Sequence, residues 1–99
     1  MFARLSTYQG SPVPAAGDLS ANAETVVGRV KDLPGFLGVY YMVDRPSGKA
    51  RTLTLWASED ALRESEELAS LIREEVATRE GQRILSVERF EVGFSHLRQ

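Results

Sequence analysis

A chain of 99 residues has room for one hydrophobic core, so a single domain spanning 1–99 is expected, and without cysteine no disulfide framework can support anything smaller. Twelve Lys and Arg against 14 Asp and Glu leave a net charge of −2, and the basic residues are scattered rather than run together, which argues against nucleic acid as a partner. No apolar stretch approaches the roughly 20 residues of a membrane helix and strand-like residues follow Met1 at once, so a cytoplasmic protein with no leader and no membrane partner is expected.

Residues 2–9, FARLSTYQ, are rich in β-formers and alternate, which predicts a first strand. The segment GSPVPAAGD, from Gly10 to Asp18, breaks regular structure with two prolines and two glycines. Leu19, Ala23, Val26, Val27, Val30 and Leu33 then recur at helical spacing, predicting a helix capped by Asp18 or Ser20 and stopped before Pro34. Pro34-Gly35 turns the chain into FLGVYYMV, a strand over 36–43 with one face of Phe36, Gly38, Tyr40 and Met42 and another of Leu37, Val39, Tyr41 and Val43. Neither face is polar, so something must cover both.

DRPSGK follows as a hairpin, with Pro46 suited to the first central position and Gly48 to a left-handed residue. In the third strand, ARTLTLWA, Leu53 and Leu55 point one way and Thr52, Thr54 and Trp56 the other. Ser58 stands as the N-cap of a second helix, with Glu59 and Asp60 in its first turn. Ala61, Leu62, Ser65, Leu68, Ala69, Ile72 and Val76 form its buried stripe, Glu59 with Arg63 and Glu75 with Arg79 its i, i+4 pairs, and Gly81 its end. RILSVERFEV, Arg83 to Val92, is the last strand, and 93–99 form a tail. The order βαββαβ predicts an α+β, ferredoxin-like fold with two helices on one face of a four-stranded antiparallel sheet. Two such sheets packed face to face in a homodimer would cover the remaining side.

LPGFLGVYYMVD, the hairpin, TLTLWASEDALRESEE and the closing SVERFEV together resemble the antibiotic biosynthesis monooxygenase (ABM) domain of the dimeric α/β barrel superfamily. The resemblance covers nearly the whole chain. It implies a homodimer joined through the open sheet face and, as activity, cofactor-independent oxygenation of a small aromatic or quinol-like compound. Position by position, Thr52 stands where quinone-forming members carry an Asn, and Leu62 where they carry a Tyr. Ala3 stands where haem-degrading members carry an Asn, and the second helix has neither their Trp nor their His, so no cofactor is expected.

Trp56 is read either as the aromatic wall of a ligand pocket or as a packing anchor at the strand-to-helix junction. Tyr40 and Tyr41 point to opposite faces, so at most one lines a given cavity, and each also reads as a core tyrosine with a wet hydroxyl. Thr52 and Thr54, beside Trp56, are candidate orienting groups. Arg89 reads as a holder of an anionic oxygen or as a salt-bridge partner. His96, the sole histidine, suits a general base but lies in the tail. No nucleophile with its base, phosphate loop or metal-ligand cluster is apparent. A small-molecule-binding homodimer, with a non-catalytic ligand-binding or structural dimerisation module as the alternative, is the functional expectation.

Overall fold

In the computed structural model, which describes residues 1–20 and 23–98, the chain runs β1 (Phe2–Gln9), α1 (Ala23–Val30), β2 (Phe36–Asp44), β3 (Lys49–Trp56), α2 (Glu59–Glu64), α3 (Glu66–Glu80) and β4 (Arg83–Glu91). The strands pair antiparallel in the order β2-β3-β1-β4, the ferredoxin-like α+β arrangement that the sequence predicts. Directly paired residues share a face. Phe2 against Trp56, Arg4 against Thr54, Ser6 against Thr52 and Tyr8 against Ala50 therefore line the side covered by the helices. Leu5 against Leu53 and Leu53 against Tyr40 line the open side. β2 divides as predicted beyond an irregularity between Phe36 and Gly38, with Val39, Tyr41 and Val43 inward and Tyr40 and Met42 on the open face.

Two glycines carry the turns. Gly48 has φ +76° and its N–H bonds the Asp44 carbonyl at 2.8 Å, closing the β2–β3 hairpin. Gly35 has φ +77°, and a Cβ there would lie 2.5 Å from Ala61 Cβ, so the Pro34-Gly35 turn is pressed against α2. Ser58 caps α2, its hydroxyl accepting from Ala61 N at 3.1 Å, and left-handed Gly81 closes α3.

Three expectations are corrected. The first helix is shorter than the apolar stripe: it ends at Val30, and Leu33 N–H turns back to Val30 O at 3.0 Å. Asp18 Oδ1 accepts from Ser20 N at 2.9 Å and Ser20 Oγ at 2.8 Å; residues 21 and 22 of the predicted helix, where its cap would act, and 99 of the tail lie outside the described residues. The second helix is two helices broken at Ser65. The Leu62 carbonyl, which a continuous helix would offer to Glu66 N–H, accepts instead from Ser65 Oγ at 2.7 Å and from Arg4 Nη2 at 2.9 Å. An arginine from the sheet thus takes a helix bond. The surface pairs also differ: Arg63 bonds Asp60, Arg29 of α1 bonds Glu75 of α3, and Arg79 bonds Glu80.

Candidate functional site

The space between the inner sheet face and the helices is not filled. A cavity of about 510 Å³ lies there, walled by Val26, Val27 and Val30 of α1, by Val39, Tyr41 and Val43 of β2, and by Ala69, Ile72 and Val76 of α3. The α1 stripe therefore faces a hollow. The cavity is partly open to solvent, so water can enter it, and its volume is within the range of small-molecule sites. The loop between β1 and α1 forms part of the rim and is pinned by Arg45, whose Nη2 donates to Gly17 O at 2.9 Å.

Trp56 is 1% exposed and is among the residues that border the cavity. It packs on Ala61, Leu62, Phe2, Leu33 and Phe36, the Phe36 ring meeting it edge-on at 5.5 Å. Nε1–H donates to Thr54 Oγ1 at 3.0 Å, which fixes the indole in its plane. The packing-anchor surroundings are thus the ones on view. Thr52, Thr54 and Tyr41 also line the cavity. Tyr40, 50% exposed, lies on the opposite sheet face. Arg89 is outside the lining and pairs with Glu66, Nε to Oε1 at 2.5 Å and Nη2 to Oε2 at 2.7 Å. His96 is in the exposed tail between Phe94 and Leu97.

Among the lining residues that escape the sequence reading are Arg4, Ser6, Tyr8 and Arg73. Strand alternation carried the signal, since Arg4, Ser6 and Tyr8 form a polar stripe on the strand at the sheet's centre. Arg4 is 3% exposed, with its guanidinium 5.7 Å from the Trp56 ring centroid. Its Nη2 donates to Leu62 O, to Ser65 Oγ at 2.8 Å and to Glu66 Oε1 at 3.0 Å. Burial lowers its pKa, against the upward pull of Glu66. Shared between Arg89 and Arg4, the Glu66 carboxyl is driven down to about 2. Burial raises the pKa of Tyr8, with the Ser6 and Thr52 hydroxyls opposing, so this phenol keeps its proton and can donate it in a hydrogen bond. Among the described residues no group of three His, Cys, Asp or Glu side chains is placed to hold a metal ion, and no helix is long and apolar enough to cross a membrane.

Sheet, helices and hollow define the class: a ferredoxin-like α+β chain with a ligand-sized cavity between its layers. The same fold is found in a Deinococcus radiodurans protein described as a candidate antibiotic biosynthesis monooxygenase, with a TM-score of 0.67 and 13% identity, covering 100% of this chain and 99% of that one. By sequence, the chain is 27% identical over 77 residues to two uncharacterized proteins from two strains of Mycobacterium tuberculosis, MT2635 and Rv2558. That match takes in 78% of this chain but only 33% of theirs, so the chain spans about a third of the length of these curated relatives. No family model matches the sequence.

Proposed function

We propose that the chain is a cytoplasmic, ABM-like small-molecule-binding domain that works as a homodimer, its cavity holding one small, flat, mostly apolar compound per chain. The observation that carries the reading is the cavity itself, whose apolar walls are interrupted by a few convergent polar groups: Arg4, Ser6, Tyr8, Thr52 and Thr54. Trp56 supplies an aromatic edge to such a ligand. The dimer reading rests on the open sheet face, where Tyr40, Met42 and Phe90 are exposed beside Leu53 and Leu55.

The activity proposed with this fold is cofactor-independent oxygenation of an aromatic or quinol-like substrate. In such a reaction an activated ring methylene and dioxygen give a ring ketone and water, and the substrate supplies all the electrons. The protein's share is to exclude water, orient the ring and stabilise the substrate anion. A second reading, ligand binding without turnover, is favoured by Thr52 and Leu62 standing where the quinone-forming ABM members carry Asn and Tyr.

Trp56, the sole tryptophan, reports on both. Titration with 2-naphthol or a naphthoquinone is expected to change its emission saturably at one site per chain, and unchanged emission with every such compound refutes the cavity reading. Dioxygen uptake with a bound anthrone-like substrate separates the catalytic reading from the second.

A further inference from the structure

The charges that line the cavity balance in number, three arginines against three carboxylates, but not in place. Arg73 and Arg89 both lie near enough to act on Arg4, and Glu66 is the carboxylate that serves both Arg4 and Arg89. Arg73 bears on the Tyr8 phenol as well as on Arg4, which places it within reach of both along β1. Arg4 Nε and Arg73 Nη1 are buried and have no hydrogen-bond partner among the described residues. Both residues line the cavity. A guanidinium N–H withdrawn from water without a partner is costly, and two lining one cavity, from β1 and from α3, call for an acceptor with negative charge. The acids that line the same cavity cannot supply it. Asp18, Glu24 and Glu80 are exposed at its rim, Asp18 is engaged by Ser20, and Glu80 by Arg79.

We infer that the occupant of this cavity is an anion: an apolar, ring-sized molecule bearing one carboxylate, which sits beside Arg4 and Arg73 while its ring lies along Trp56 and the valines. This deepens the binding reading above and rests on it. A carboxylate suits the place because its planar pair of oxygens matches guanidinium donors, and the Tyr8 and Ser6 hydroxyls stand on the same strand face to complete its hydrogen bonds. A phosphate dianion would bring more charge into walls that are otherwise apolar, at a far larger desolvation cost.

The test compares 2-naphthoate with its neutral isostere 2-naphthamide on the full chain, with binding followed by Trp56 emission and by calorimetry. Naphthoate is expected to bind about tenfold more tightly than the amide. In Arg73→Gln, which leaves the Arg4 contacts to α2 and α3 in place, that preference is expected to disappear through loss of naphthoate affinity alone, and Arg73→Lys is expected to restore part of it. Equal affinity for acid and amide, or an equal loss of both in Arg73→Gln, overturns the inference and leaves the cavity reading standing. Binding of neither compound overturns both.

Discussion

Removing the charge of Glu66 tests the junction where sheet and helices meet. Its carboxyl, 28% exposed, receives Arg4 from β1 and the fork of Arg89 from β4, and its pKa falls from 4.5 to about 2. A depressed folded-state value means that stability is present above the unfolded pKa and is lost as pH falls from about 4.5 through about 2. The difference of about 2.5 units, at about 1.36 kcal/mol each, bounds the contribution at about 3 kcal/mol at pH 7. Arg89 is 46% exposed, and solvent screening of its half brings the expected value to about 1 to 3 kcal/mol. Urea unfolding of the wild type and Glu66→Gln is expected to show that gap at pH 7 and to show it closing to about 0.4 kcal/mol or less by pH 2. A gap that stays constant across this window would refute the electrostatic account and leave only packing.

Three other outcomes are expected. Trp56→Ala should cost about 3 to 5 kcal/mol, because most of the ring is anchored in the α2 cluster, whereas Trp56→Phe should keep the fold and weaken any aromatic ligand modestly; melting and titration of both variants check this. Gly35→Ala forces a Cβ to 2.5 Å from Ala61 Cβ at positive φ, and should cost about 2 kcal/mol or more by thermal melting, with an unchanged midpoint counting against the close packing of that turn. Light scattering should give twice the chain mass for the unmodified protein and the chain mass for Tyr40→Glu, with far-UV dichroism retained; a monomeric unmodified chain sinks the face-to-face dimer.

What the sequence made legible followed from period and punctuation. Alternation put Thr52, Thr54 and Trp56 on one side of β3, and Gly48, Ser58 and Gly81 marked a hairpin, a cap and a helix end where the structure has them. The break at Ser65 was not legible, since its cause is a side chain some sixty residues away: Arg4 and Ser65 are 61 positions apart. Helical periodicity cannot register a partner from another element. The cavity was hidden for a related reason. A stripe such as Val26, Val27 and Val30 reads the same whether it faces packed atoms or a hollow, and only the volume between layers distinguishes them. Polar residues on a central strand were the available clue, in Arg4, Ser6 and Tyr8.

The place of β1 between β3 and β4 also sets an order of events during synthesis. The strand at the middle of the sheet is the earliest of the four to be made, and both of its neighbours come later, the second ending at Glu91. At about 5 to 20 residues per second, the 82 positions from Gln9 to Glu91 take on the order of 4 to 16 s to translate. Through that interval FARLSTYQ has at least one edge unpaired, and the α2–α3 junction, which needs Arg4, can set only after β1 has docked. The buried arginine thus also interrupts, with a charge, a β-prone segment that would otherwise offer a bare edge to other nascent chains.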